Sequence, residues 1–218
     1  MSKKNMTHLF EGNNHEKTNL KKKLFGKRSK DSESFWTSIF VLFLLQYSEE
    51  GLCFPLRKYY HKKQDWCYKE FDEIVIPKGL SWNEILVEGR LSEINGKKIP
   101  NKFNDLTPDI LLIDETNKKI YMIEVKTLSA ITKNELYQEF SKFIEMESGY
   151  KTELIYLISA GFTNGINKIS KDYKILLWED VAKVMHDKNH ELLKGVDFSK
   201  FYGDEKLLCS NQAYMEEA

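Results

Sequence analysis

The sequence predicts an α/β fold in which a mixed central β-sheet is flanked by helices. Short apolar runs of strand length occur at Ile110–Asp114, at Ile120–Lys126 and in "ELIYLISAG". Two segments of helical length, residues 34–49 and "TKNELYQEFSKFIEMES", precede and separate these runs. Because strands and helices alternate along the chain, we expect them to form layers around one sheet.

Length and composition are those of a globular protein with one main domain. The 218 residues can bury a sizeable core, since 41% are hydrophobic and 30% are charged. The 33 basic and 33 acidic residues balance, so the net charge indicates no class of partner. Three widely spaced cysteines without a CxxC pair argue against an all-cysteine metal cluster and favour a reducing, cytoplasmic environment.

Residues 1–31 are predicted to form a basic, flexible arm, followed by a single domain over residues 32–218. The first 30 residues contain nine Lys or Arg and only two Glu. Such an arm is either a solvated tail or a contact for a polyanion such as DNA. In the second interpretation, the residues that bind phosphate are Lys21, Lys22, Lys23, Lys27 and Arg28.

The first predicted helix, residues 34–49, contains the apolar run Phe35–Tyr47. A membrane-spanning helix needs about 20 apolar residues, so this shorter run indicates a core helix rather than a membrane anchor. Ser34 is expected to cap the helix and Gly51 to end it. The run is also apolar enough to contribute to a homodimer interface, and a membrane-tethered protein is the remaining alternative.

Residues 56–77, "LRKYYHKKQDWCYKEFDEIVIP", are predicted to form a helix that passes into a strand at Ile74–Ile76. Helical spacing places Tyr60, Cys67, Phe71 and Ile74 on one face. The part "RKYYHKK" interleaves basic and aromatic residues. That pattern suits either contacts with nucleic acid or the outer face of this helix.

The next segment, "SWNEILVEGRLSEI", has features of both a helix and a strand. Ser81 and Glu84 have the spacing of a helical capping box. However, Ile85, Val87 and Leu91 recur at the even spacing of a strand. We favour the strand.

From residue 110 onwards the periodic patterns are clearer. "ETNKK" joins Ile110–Asp114 to Ile120–Lys126 as a hairpin. The helix that follows starts at a capping box of Thr132 and Glu135. Its apolar stripe contains Leu136, Phe140, Phe143 and either Ile144 or Met146, and the buried strands "ELIYLISAG" and "YKILLW" and the closing helix "EDVAKVMHD" complete the fold.

The predicted hairpin carries acids where buried strands are usually apolar. Asp109 directly precedes the first strand, and Glu124 lies within the second, two residues before Lys126. Because side chains alternate along a strand, Glu124 and Lys126 project from one face about 7 Å apart. Hairpin pairing brings Asp109 beside Lys126. Each residue alone is typical of a turn or an exposed ion pair, but their combination indicates a site.

Two carboxylates that point to one place repel each other unless a cation lies between them. Hard divalent cations such as Mg²⁺ or Mn²⁺ prefer oxygen ligands. Asp109, Glu124 and the backbone carbonyl of Val125 can supply such ligands. A metal there lowers the pKa of a bound water and contacts a phosphate oxygen, while Lys126 orients that water or offsets charge on the phosphate. This is the chemistry of phosphodiester hydrolysis.

The stretch "PDILLIDETNKKIYMIEVK" resembles the signature of the PD-(D/E)XK nuclease superfamily, which includes many restriction endonucleases and Holliday-junction resolvases. By motif position, the resemblance implies that Asp109 and Glu124 bind a metal and that Lys126 is the catalytic lysine. It covers about residues 80–187 and implies a restriction-endonuclease-like core. The motif is short, so no family within the superfamily is identified.

The resemblance also implies two accessory positions. Gln138, in the helix after the hairpin, resembles a polar residue often found there. The superfamily often has a further glutamate on a helix before the sheet. Glu49, Glu73, Glu84 and Glu88 are candidates, and Glu88 is favoured because a capped helix would place it towards the sheet.

Two functions are compatible with these features. The first is a Mg²⁺-dependent or Mn²⁺-dependent DNA endonuclease, used in restriction, anti-phage defence or DNA processing. The second is a nucleic-acid-binding or assembly subunit that keeps the nuclease fold without cutting. The intact set of Asp109, Glu124 and Lys126 favours the enzyme. The expected partners are DNA and either a second copy of the chain or a partner subunit, with no membrane.

Overall fold

The computed structural model describes residues 10–12, 33–62, 65–81, 84–88, 91–126, 134–159 and 173–188. The α-helices in these ranges are α1 (Glu33–Tyr47), α2 (Asn134–Ser148) and α3 (Trp178–Asp187), with short 3-10 helices at Ser48–Glu50 and Asn101–Phe103. The strands are β1 (Phe10–Gly12), β2 (Cys53–Lys62), β3 (Asp65–Val75), β4 (Ile85–Val87), β5 (Leu91–Ile94), β6 (Lys97–Lys98), β7 (Ile110–Asp114), β8 (Lys119–Val125), β9 (Lys151–Ile158) and β10 (Lys174–Leu177).

Seven strands form one mixed sheet in the order β3-β2-β10-β9-β8-β7-β4. Strands β8, β9 and β10 are parallel to one another, and the pairs towards both edges are antiparallel. A small second sheet has the order β1-β5-β6. The predicted class, an α/β fold with a mixed central sheet flanked by helices, is confirmed.

A separate hydrophobic core covers each face of the large sheet. Phe40 of α1 and Trp178 of α3 belong to the core on one face, together with Ile123 of β8. Phe140 of α2 belongs to the core on the other face, together with Met122 of β8. Because successive side chains of a strand point to opposite faces, β8 contributes to both cores. It is therefore held from both sides, which fixes the position of the residues at its end.

The apolar run of α1 forms part of the core, as predicted. Trp36, Phe40 and Leu44 are buried. The helix already includes Glu33, so Ser34 lies inside it and not at its cap. In the described part of the chain, no helix has the length and apolar content needed to cross a membrane. Since most of α1 is buried within its own chain, its apolar character is no longer a reason to assign it to a dimer interface.

The helix predicted for residues 56–77 before Ile74 is wrong, because this segment lies in the antiparallel pair β2–β3, whereas the strand predicted at Ile74–Ile76 is present as the end of β3. Burial follows a period of two residues: Ile74 and Ile76 are buried, whereas Val75 between them is 51% exposed. Phe71, which the helix would have buried, is 39% exposed. Aromatic and β-branched residues favour a pleated surface, and here that preference outweighs the helical spacing. The side chains of residues 60–67, including Tyr60 and Cys67, lie outside the described part of the structure.

The next segment forms strand, as favoured, but as two strands in different sheets, β4 in the large sheet and β5 in the small one. Ser81 and Glu84 have the hydrogen bonds expected from their spacing, since the backbone N–H and Oγ of Ser81 donate to Glu84 Oε2 at 2.7 and 2.8 Å. These bonds close a turn and do not start a helix. The next residue, Ile85, instead pairs with Leu112 of β7.

The elements predicted after residue 110 are confirmed by β7, β8, α2, β9, β10 and α3. In α2, Ile144 is buried and Met146 is 70% exposed, so Ile144 completes the apolar stripe. Phe10–Gly12, which we expected to be flexible, pairs with β5 as β1. Thr132 and the basic residues 21–30 lie outside the described ranges.

Candidate active site

The hairpin of β7 and β8 brings Asp109 to the end of the sheet where Glu124 lies. Ile110 pairs with Ile123, so Asp109 and Glu124 are the next residues along the two strands. Asp109 Oδ2 accepts a hydrogen bond of 2.7 Å from the backbone N–H of Val125. This bond attaches the aspartate to the strand that carries the glutamate, as the sequence predicted from hairpin pairing.

Lys126 directly follows β8 and lies between the two acids. Its Nζ is 3.9 Å from Asp109 Oδ2 and 3.6 Å from Glu124 Oε2. The same ammonium donates a hydrogen bond of 3.1 Å to the backbone carbonyl of Val125. Three of the four predicted site residues, Asp109, Glu124 and Val125, therefore surround the ammonium of the fourth, Lys126.

A third acid, Glu33, contacts the same ammonium. Its Oε2 lies 3.7 Å from Nζ of Lys126. Glu33 is in the first turn of α1, and α1 packs in the same core as β8, so the start of this helix lies near the end of the strand. Glu33 was not among the candidates for a glutamate on a helix before the sheet, because the predicted helix began at Ser34.

Glu88, the favoured candidate for this glutamate, is not on a helix. It follows β4 with a φ of 46°, and its backbone N–H donates to the carbonyl of Asp109 at 2.9 Å. Its backbone is therefore beside the site, but the capped-helix argument for it is wrong. The other candidates have other surroundings: Glu49 is in a 3-10 helix beside Gly79, Glu73 accepts a hydrogen bond from Cys53, and Glu84 closes the turn with Ser81.

Glu124 is a buried carboxyl group whose charge is poorly compensated. Its side chain is 7% exposed, and its Oε1 has no hydrogen-bond partner. Burial and the nearby Asp109 carboxylate raise the pKa of Glu124 to about 8, against the opposing effects of Lys126, the Tyr137 hydroxyl and the Asp109 backbone N–H. A further positive charge close to this carboxyl group would favour its ionised form.

Tyr137 of α2 is a second residue that sequence reasoning missed. Its side chain is buried, and its hydroxyl donates a long hydrogen bond of 3.4 Å to the carbonyl of Thr107 and also interacts with the Glu124 carboxylate. Burial, followed by the charge of Glu124, raises the pKa of Tyr137 well above its ordinary value. The helical spacing from Tyr137 to Phe140 and Ile144 was the available signal. Gln138, the predicted accessory residue, is the next residue of α2 and is partly buried.

The oxygen atoms around Lys126 are the kind that a hard divalent cation binds. Among the described residues, no three His, Cys, Asp or Glu side chains form a complete metal-binding group. Asp109, Glu124 and the Val125 carbonyl nevertheless offer oxygen donors within one small region. The unpartnered Oε1 of Glu124 and the raised pKa of this group both indicate a place for additional positive charge. Oxygen donors of this kind are those that Mg²⁺ or Mn²⁺ would use.

Comparisons of the chain with protein-family models, with curated proteins and with solved structures each find no match. The class of fold and the geometry around Lys126 are therefore the basis for assigning a function.

Proposed function

We propose that this chain is a metal-dependent endonuclease of the PD-(D/E)XK type, which hydrolyses phosphodiester bonds in DNA. The observation that carries the proposal is one lysine ammonium within 4 Å of three carboxylates, from Glu33, Asp109 and Glu124. Surplus negative charge next to a buried carboxyl group costs free energy in a purely structural cluster. In a site that binds a cation, the cation would neutralise this surplus negative charge.

The residues of the site have distinct roles in this proposal. Asp109, Glu124 and the carbonyl of Val125 would hold Mg²⁺ or Mn²⁺, which supplies Lewis-acid activation of water and of the phosphate. Lys126 offsets negative charge that develops on the phosphate in the transition state and can orient the attacking water. The hydrogen bond from the Val125 backbone N–H to Asp109 holds this carboxylate in place. This ligand is thus oriented before the substrate binds.

The order of elements also supports the proposal. After α1 and the pair β2–β3, the chain forms β4, β7 and β8, which pair antiparallel, with β5 and β6 between β4 and β7; helix α2 and β9, which is parallel to β8, follow. The sequence motif spans the β7–β8 hairpin at the centre of this arrangement. A restriction-endonuclease-like core over about residues 80–187 is therefore part of the proposal.

The second candidate function is a nucleic-acid-binding or assembly subunit that keeps the fold without cutting. One observation favours it. The Lys126 ammonium itself donates to the Val125 carbonyl, which is one of the proposed metal ligands. In a subunit without catalysis, this lysine would permanently take the place of the cation.

Assays with supercoiled, linear, branched and single-stranded DNA, and with RNA, distinguish the two functions. We expect cutting of DNA only with Mg²⁺ or Mn²⁺, and loss of cutting in Asp109→Asn. Asp114→Asn is the matched control, because Asp114 lies at the other end of β7 and binds the turn residue Asn117. Full activity in excess chelator contradicts the metal requirement. Binding of DNA without cutting under any of these conditions favours the subunit.

The basic residues of the N-terminal arm are proposed to bind DNA phosphates. Replacing Lys21, Lys22, Lys23, Lys27 and Arg28 by Ser should then weaken binding and flatten its salt dependence. Each lost phosphate contact lowers the slope of log K against log salt by about 0.9. Substitution tests the arm better than deletion of residues 1–31, because deletion would also remove β1. An unchanged slope identifies the arm as a solvated tail.

A cut through both DNA strands needs two such sites, so we propose that the active form is a homodimer or contains a partner subunit. Light scattering of the protein at working concentration measures its mass directly. A monomeric mass combined with double-strand cutting contradicts the homodimer.

A further inference from the structure

Tyr137 connects three segments that form the site around Lys126. Its side chain extends from α2, its hydroxyl hydrogen-bonds with Glu124 of β8, and it lies 3.4 Å from the carbonyl of Thr107, two residues before Asp109. The ring is buried. The sequence motif does not include this residue.

The phenol has one proton and two acceptors within reach. At 3.4 Å, the Thr107 carbonyl is at the long limit of a hydrogen bond. A carboxylate is the stronger acceptor, because hydrogen bonds to a charged group are about twice as strong as neutral ones. When Glu124 is ionised, its carboxylate is therefore the stronger of the two acceptors for the Tyr137 hydroxyl.

We propose that Tyr137 is a positioning residue whose hydroxyl fixes the Glu124 carboxylate so that its Oε1 remains available to a cation. The terminal torsion of a glutamate has a broad energy minimum, so without a partner the carboxylate can rotate. Glu124 Oε1 is buried and has no hydrogen-bond partner, which is the state expected of a ligand atom held ready. The identity of the cation rests on the proposed function, whereas the bond between Tyr137 and Glu124 does not.

Tyr137→Phe tests the inference, because it removes only the hydroxyl and keeps the ring. Tyr156→Phe is the matched control. Tyr156 is also buried and pairs with Glu124 in the register of β8 and β9, but its hydroxyl hydrogen-bonds with Tyr173. Mn²⁺ binding is measured by the electron paramagnetic resonance signal of free Mn²⁺. We expect Tyr137→Phe to bind about 10-fold more weakly than the wild type, and Tyr156→Phe to bind within about twofold of it.

A second measurement needs neither metal nor DNA. In metal-free protein, the ¹³C resonance of the Glu124 carboxyl, identified by its loss in Glu124→Gln, should move in Tyr137→Phe and stay near its wild-type position in Tyr156→Phe. If Tyr137→Phe does not fold, the Cζ resonance of Tyr137 in Glu124→Gln reports on the same bond from its other end, and it should move.

The outcomes separate this inference from the proposed function. If the Glu124 resonance moves but the wild type binds no Mn²⁺, the positioning of Glu124 by Tyr137 is supported and the metal-dependent function fails. If neither the resonance nor Mn²⁺ affinity changes in Tyr137→Phe, the inference is overturned. Equal weakening of Mn²⁺ binding in both variants also overturns it, because the hydroxyl bonded to Glu124 would then have no special role.

Discussion

Strands β8 and β9 have a buried glutamate at each end of their pairing, and the two glutamates have opposite electrostatic surroundings. Glu124, at one end, shares the single lysine Lys126 with two other acids. Glu153, at the other end, is 3.1 Å from Nζ of Lys119 and 2.9 Å from Nζ of Lys174. Lys174 also pairs with Asp72, so this second cluster contains two acids and two lysines.

The different charges around the two glutamates shift their pKa values in opposite directions. Burial acts to raise the pKa of Glu153, but hydrogen bonds and attraction from Lys174 and Lys119 outweigh it and lower the pKa. Burial and Asp109 raise the pKa of Glu124 to about 8. Burial raises the pKa of both groups, and the lysines around Glu153 outweigh it whereas the single Lys126 beside Glu124 does not. The Glu153 cluster is arranged for stability, whereas the Glu124 cluster keeps a charge surplus that a bound cation would use.

The largest expected difference between the two clusters is in catalysis. Lys126→Ala should lower the rate of DNA cleavage about 100-fold or more, since it removes a charge that acts mainly in the transition state. DNA affinity should fall only a little. Lys119→Ala is the matched control, because Lys119 begins the same strand and pairs with Glu153. It should cleave at the wild-type rate.

The free energy of unfolding must also be measured for Lys126→Ala and Lys119→Ala. Each loses an ion pair with a buried glutamate, so each should be destabilised by roughly 1 to 3 kcal/mol. Single-turnover cleavage at a temperature where both are folded then isolates the catalytic effect. A lowered melting temperature with wild-type cleavage in Lys126→Ala would show that Lys126 is a structural ion-pair partner.

The pH dependence of stability should also differ between the two clusters. A raised folded-state pKa means that the folded protein binds a proton more tightly than the unfolded chain does. In chelator, the contribution of Glu124 is therefore fully present below its ordinary pKa of 4.5 and is lost as the pH rises to about 8. Between pH 5 and 8 the loss is on the order of 3 kcal/mol. Urea unfolding across this range measures it.

Variants of the two glutamates separate their contributions. Glu124→Gln cannot ionise, so its stability should be nearly constant from pH 5 to 8. Glu153 has a lowered pKa, so its contribution is present above pH 4.5 and is lost as the pH falls through the folded-state value. In Glu153→Gln, the free energy of unfolding should therefore still fall between pH 5 and 8. Its pH dependence should differ from that of the wild type only below about pH 4.5. If the free energy of unfolding of Glu124→Gln still falls between pH 5 and 8, Glu124 is not the group whose ionisation causes the loss.

Each element that was predicted correctly after residue 110 has a sequence pattern that fits only one kind of secondary structure. Strands β7, β8 and β9 are buried on both faces and read as continuous apolar runs, which few other structures produce. The hairpin β2–β3 was missed because its spacing satisfies two patterns. Phe71 and Ile74 are three residues apart, as on a helix, while Ile74 and Ile76 alternate as in a strand. Only the pairing of β2 with β3 and β10 decides between them.

The site was predictable where its residues are joined by one hairpin. Asp109, Glu124 and Lys126 lie on adjoining strands, and the hairpin alone determines their relative positions. Glu33 and Tyr137 come from two helices on opposite faces of the sheet. Their distance from the end of β8 depends on how those helices pack, which a short motif does not specify.

The smallest predicted effect tests whether Glu33 belongs to the site at all. Glu33→Gln removes a charge 3.7 Å from Lys126, and its side chain is 27% exposed, so we expect a stability change below about 1 kcal/mol. If Glu33 helps to hold the cation or its water, cleavage and Mn²⁺ affinity should each fall about 10-fold. Glu50→Gln is the control, since Glu50 follows the same helix but pairs with Lys188. If Glu33→Gln and Glu50→Gln have the same cleavage rate and the same Mn²⁺ affinity, the site consists of Asp109, Glu124 and Lys126 without Glu33.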